Sequence, residues 1–130
     1  MRFSSRDDAQ LSVDLQEQVG GIVIARVHGE LAVGSEPLLG AYLEALWERP
    51  DLRGLVVDVT EVGFCDSVGL GELIGAYNRC QAQTVAFTLA GVNGMVARLL
   101  NVTGLRATFA VFPDAEAATT HLAANPETGR

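Results

Sequence analysis

Leu55-Val56-Val57-Asp58-Val59-Thr60-Glu61-Val62-Gly63-Phe64-Cys65-Asp66-Ser67-Val68-Gly69-Leu70-Gly71 is the stretch that decides how this chain folds. Its first five residues are a near-continuous apolar run, the pattern of a strand buried on both faces of a parallel sheet. Gly63 and Phe64 lead into Asp66-Ser67, two residues that each suit the N-cap of a helix. From there Leu70, Leu73, Ile74 and Tyr77 fall at i, i+3, i+4 and i+7, the stripe of an amphipathic helix. Strand, exposed polar turn and helix are predicted in that order. In open α/β sheets functional sites gather beyond the carboxyl ends of the strands, so Ser67 sits where chemistry is expected.

On the N-terminal side, Leu11, Val13 and Leu15 alternate with Ser12, Asp14 and Gln16, which predicts a half-buried strand. Gly20-Gly21 joins it to the β-branched run Ile22-Val23-Ile24-Ala25-Arg26-Val27, and two strands so joined make an antiparallel hairpin. Gly29-Glu30-Leu31-Ala32-Val33-Gly34 reads as a loop. Ser35 and Pro37 then open a helix carrying Leu39, Tyr42, Leu43, Leu46 and Trp47, which Arg49-Pro50 ends.

On the C-terminal side, residues 84–89 read as a strand. A helix from about Asn93 uses Val96, Leu99 and Leu100 and stops near Thr103-Gly104. Residues 108–112 form the last strand, and Pro113-Asp114 opens an alanine-rich helix to about Ala123. The order β-β-α-β-α-β-α-β-α implies one α/β domain over residues 1–130. Its five-stranded sheet is mostly parallel, with an N-terminal β-hairpin and about four helices. The polar ends, about 1–10 and 124–130, are expected to be flexible.

The 130 residues carry a formal charge of −7 and a pI near 4.6, and every basic residue but the two histidines is Arg. So little cationic surface disfavours direct nucleic-acid binding and adhesion to anionic lipid. It suits a protein partner with a basic docking face. No apolar run approaches the roughly 18 residues that span a bilayer, so no membrane insertion is expected. Met1 to Asp8 contains no apolar signal core, and a cytoplasmic protein is expected. Cys65 and Cys80 match no metal or redox spacing and read as buried free thiols.

Ser67 admits three readings. It caps the helix; or it is a nucleophile on a strand–helix elbow; or it accepts a phosphoryl group. The second lacks support, because Cys65 replaces the first glycine of Gly-x-Ser-x-Gly and the only histidines, His28 and His121, stand isolated on other elements. In the third, a phosphate finds free N–H groups and the favourable end of the helix dipole, while its negative charge beside Asp66 disrupts a partner contact. Gly69, Gly71 and Gly75 read as small residues for close helix–sheet packing. Asp58, Glu61 and Asp66 read as solvated loop acids and not as metal ligands, and neither a catalytic residue nor a cofactor site is predicted.

The same stretch resembles the signature of STAS domains of the anti-sigma-factor antagonist type, in which an apolar strand, a Phe-x-Asp-Ser-x-Gly-Leu turn and a helix follow one another. Gly29-Glu30-Leu31 is similar to that family's Gly-Glu-Leu loop, and the segment from Leu99 to Leu105 contains a run similar to its Leu-x-x-x-Gly-Leu stretch. The resemblance implies a partner switch. The unphosphorylated domain binds an anti-sigma factor with serine kinase activity; phosphorylation of Ser67 ends the contact, and a PP2C-type phosphatase restores it. It implies no cofactor for this chain, and a docking surface of Asp66, Ser67, Val68 and Gly69 with Gly29, Glu30 and Leu31 beside it. Ala32 departs from the family, which often has Asp there and so a polar docking group. The alternative is a STAS-like interaction subunit of a transport or signalling complex that is never phosphorylated.

Overall fold

A computed structural model describes residues 11–34 and 39–124. Two strands, β1 (Ser12–Gln18) and β2 (Ile22–Leu31), form the hairpin, antiparallel with Val13 opposite Val27. The turn is Val19-Gly20-Gly21, and both glycines have the positive φ that side chains resist. Then follow α1 (Leu39–Leu43), which tightens into a 3-10 turn (Glu44–Glu48), β3 (Gly54–Cys65) and α2 (Ser67–Ala82). The chain continues through β4 (Ala86–Ala90), α3 (Gly94–Thr103), a 3-10 turn (Leu105–Ala107), β5 (Ala110–Phe112) and α4 (Ala115–Ala124).

The sheet order is β1-β2-β3-β4-β5, parallel from β2 onward. The predicted α/β class, the five strands and the hairpin are all found. Because each crossover steps to the next strand, α1, α2 and α3 lie on one face. There Leu39, Leu43, Leu73 and Leu100 close a core over Val23, Val57, Val59 and Leu89. Among the described residues only α4 covers the other face, where Ala115, Ala118 and Leu122 pack on Ile22, Ile24 and Val56. Within the larger core, the Tyr77 ring meets Phe87 and Phe109 edge-on, at 5.8 and 5.3 Å between centroids.

Several boundaries differ from expectation. Gly29-Glu30-Leu31 is the end of β2 and not a loop: after shifts in register it pairs with Val62, Phe64 and Cys65, which also carries β3 past Val59 to Cys65. Strand β4 begins at Ala86, because Val85 N still donates to Cys80 O at the end of α2. Strand β5 begins only at Ala110, because Thr108 and Phe109 donate back to Leu105 in the preceding turn. Helix α3 ends as predicted on Gly104, in the left-handed region at φ 76°. Ala124, expected in the flexible tail, is the last residue of α4. The other expected flexible residues and the Ser35–Pro37 helix start lie outside the described residues.

Candidate functional site

The apolar run that makes β3 a central strand ends where the sheet ends, and Asp66 turns the chain into α2 with extended dihedrals, φ −124° and ψ −169°. Those dihedrals make Asp66 the N-cap and Ser67 the first helical residue. Asp66 Oδ1 accepts from Val68 N at 3.0 Å and Gly69 N at 3.1 Å, and its carbonyl takes Leu70 N at 2.9 Å. Its Oδ2 accepts from Val33 N at 3.0 Å, in the loop after β2. One carboxylate therefore caps α2 and fastens the neighbouring loop to it. These main-chain donors, that of Val33 foremost, hold its pKa below the ordinary carboxylate value.

The capping role read for Ser67 is thus filled by its neighbour. Ser67 is exposed, and its hydroxyl makes no hydrogen bond among the described residues. A nucleophile reading gains nothing, since His28 Nε2 lies 3.2 Å from Asp14 Oδ2 and the His121 ring packs on Phe112. Fewer N–H groups are left for a phosphate here than expected, because Val68, Gly69 and Leu70 already donate to Asp66. A phosphoryl group on Ser67 would project from the surface beside a carboxylate.

The turn is built to close tolerance on its inner side. A Cβ placed on Gly69 would stand 1.7 Å from Leu31 O, so only glycine lets α2 approach the end of β2. Asp66 N donates to that same carbonyl at 3.3 Å. Gly71 and Gly75 have nothing within 4 Å of such a Cβ, which removes close packing as their role. Of the predicted docking residues, Ser67 and Val68 are exposed and Asp66, Gly29 and Glu30 half-buried, whereas Leu31 and Gly69 are buried and shape the surface from beneath. Ala32, the departure from the family pattern, is itself buried; its neighbour in the loop, Val33, is 72% exposed. Val33 and Phe64 are not among the predicted docking residues, although Val33 lies in the predicted loop and Phe64 leads into the predicted turn.

The predicted solvated acid Asp58 is instead buried in β3. Arg26 Nη1 reaches its Oδ2 at 2.9 Å, and Thr60 donates through N and Oγ1 to its Oδ1 at 3.0 and 2.6 Å. Cys65 and Cys80 are buried free thiols as expected, and burial pushes their pKa values up to about 11 and about 12. Among the described residues no three His, Cys, Asp or Glu side chains gather to hold a metal ion, and no helix is long and apolar enough to cross a membrane.

Strand, capped turn and exposed serine on this sheet define the class, and comparison with known proteins agrees: the STAS domain family matches residues 15–118. The chain belongs to the STAS domain family. It is 30% identical over 97 residues to the anti-sigma-B factor antagonist of Bacillus subtilis, covering 74% of this chain and 85% of that one. The Bacillus cell fate determinant SpoIIAA, in its phosphorylated form, superposes with a TM-score of 0.68 at 17% identity, covering 85% of this chain and 99% of that one. The murine anion transporter Slc26a9 contains a similar fold, with a TM-score of 0.77 at 16% identity over 94% of this chain and 24% of the transporter.

Proposed function

We propose that the chain is an anti-sigma-factor antagonist switched by phosphorylation of Ser67. Unphosphorylated, it binds an anti-sigma factor that is also a serine kinase; that kinase phosphorylates Ser67 and loses its grip, and a PP2C-type phosphatase restores binding. The chain is in this reading a cytoplasmic binding protein and not an enzyme, and ATP is the kinase's ligand.

The observation that carries the proposal is the division of labour at the turn. Asp66 performs the capping, so Ser67 has an exposed hydroxyl free of structural duty at the mouth of the docking surface. A phosphate there adds roughly −1.5 to −2 charge beside Asp66, which changes a contact surface without unfolding the domain. The curated relatives named as antagonists support the reading, and so does a structural neighbour known in a phosphorylated form. The fold alone does not decide, since a transporter carries it too.

The test is capture from the native cytoplasm on Ser67→Ala and Ser67→Glu baits, read by mass spectrometry. An ATPase-type serine kinase held by the first and lost from the second is the expected result. The same non-kinase proteins on both baits would replace the switch with the assembly-subunit alternative.

A further inference from the structure

Where the charge lies on this molecule bears on what kind of surface docks at Ser67. Beyond Arg26 on β2, Asp58 on β3, Ala90 on β4 and Phe112 on β5, which stand in register, the chain reaches the edge of the sheet that holds the turn. From there through the first turn of each following helix, the described residues include Glu30, Glu61, Asp66, Asp114 and Glu116 and no arginine or lysine. The opposite edge holds Arg49, Arg53, Arg79 and Arg106 together with Glu17, Glu48 and Asp51, and Glu17 and Asp51 pair with Arg49. Among the described residues, negative charge is therefore concentrated on the edge that carries Ser67.

Apolar exposure is concentrated at the same end. Six large apolar side chains are exposed among the described residues, and three of them, Val33 at 72% and Phe64 and Val68 at 41% each, stand at this turn. The main-chain N atoms of Val33 and Val68 share the Asp66 carboxylate, one on each oxygen, which sets the two valines next to each other and to Ser67. Two exposed valines bonded through their main chain to the Asp66 carboxylate, with Glu30 on the adjoining strand end and Glu61, Asp114 and Glu116 farther along the same edge beside Arg26 and His28, match the plan of an interface core: apolar at the centre, charged at the periphery.

We propose that the anti-sigma kinase presents an apolar recess with a basic rim, and that Val33 and Val68 fill this recess beside Ser67 while Phe64 widens the apolar contact. The inference rests on the antagonist reading above. It also assigns the way phosphorylation acts. A basic rim attracts negative charge, so long-range repulsion does not release the partner. The phosphate instead has to be desolvated among valines next to the Asp66 carboxylate, which is unfavourable only once the faces are in contact. Phosphorylation accordingly raises the dissociation rate and leaves the association rate at least as fast.

Surface plasmon resonance against the purified anti-sigma kinase recovered on the Ser67→Ala bait tests this, using the whole chain and four forms: wild type, Val33→Ser, Val68→Ser and Val19→Ser. Val19 is an exposed valine in the hairpin turn at the opposite edge, and circular dichroism confirms that each form is folded. Val33→Ser and Val68→Ser are each expected to weaken binding about tenfold, mainly through dissociation, with Val19→Ser unchanged. The wild-type association rate is expected to fall about tenfold between low and high salt. Wild type that binds while both valine variants stay within about twofold of it, or an association rate indifferent to salt, overturns the recess and leaves the antagonist reading intact. Wild type that does not bind overturns both.

Discussion

At the turn between β3 and α2 a single carboxylate takes three main-chain N–H groups, and the hydroxyl next to it takes none. The two residues should therefore answer very differently to substitution. Asp66→Ala removes a cap and the link to Val33, with an expected loss of about 1–2 kcal/mol in urea unfolding. Ser67→Ala removes no native bond and should stay within about 0.5 kcal/mol of wild type. The same geometry sets a pH dependence. Because the pKa of Asp66 is depressed in the folded state, its contribution is present above the unfolded carboxylate pKa and is lost as pH falls through the lower folded value. The stability gap between wild type and Asp66→Asn should then hold steady near neutrality and narrow in acid; a gap that widened in acid would refute the assignment. From the sequence both residues qualified as caps, and only the extended dihedrals of Asp66 separate them.

Among the elements, α2 carries three glycines whose neighbourhoods differ, and stability measurements can read the difference. Gly69→Ala forces a methyl against Leu31 O and must push the end of β2 away from the helix, at an expected cost of about 2 kcal/mol or more. Gly71→Ala and Gly75→Ala meet open space and should each stabilise the helix by about 0.5–1 kcal/mol. Thermal unfolding of the three variants would contradict the packing described here if they shifted in the same direction. The heart of β3, the turn and α2 was legible because their periods of burial are strong and local. The ends of β2 and β3 were not: Gly29-Glu30-Leu31 has neither alternation nor β-branched residues, and its pairing with residues 62–65 depends on shifts in register that no local pattern announces. The first core helix was legible as a stripe, yet its turns from Glu44 onward are 3-10.

For the molecule as a whole, the sheet divides an extensive core under α1, α2 and α3 from a smaller one under α4. On the smaller side a polar network replaces apolar packing: Gln16 accepts from Arg26, and Arg26 pairs with Asp58, so β1, β2 and β3 are tied across the face. Removing the cation leaves Asp58 buried with Thr60 as its remaining partner. Arg26→Met is therefore expected to cost about 2 kcal/mol, less than a fully enclosed pair because the Arg26 side chain is 35% exposed. Denaturant unfolding at neutral pH measures it, and a neutral result would show that the network is dispensable. The sequence concealed this feature because burial of Asp58 depends on a residue 32 positions away on another strand. The α/β class was legible as a whole because it follows from the order of the elements, whereas the polarity of charge along the strands emerges only when the loops are gathered into two edges.

The central claim is that Ser67 is the residue through which this domain is switched. Incubating wild type and Ser67→Ala with the anti-sigma kinase and ATP, then mapping phosphate by mass spectrometry, tests it most directly. The account predicts about one phosphate per wild-type chain, on Ser67, and none on the variant. Phosphate that persists in Ser67→Ala, or a wild type that stays unmodified while bound to an active kinase, would contradict it.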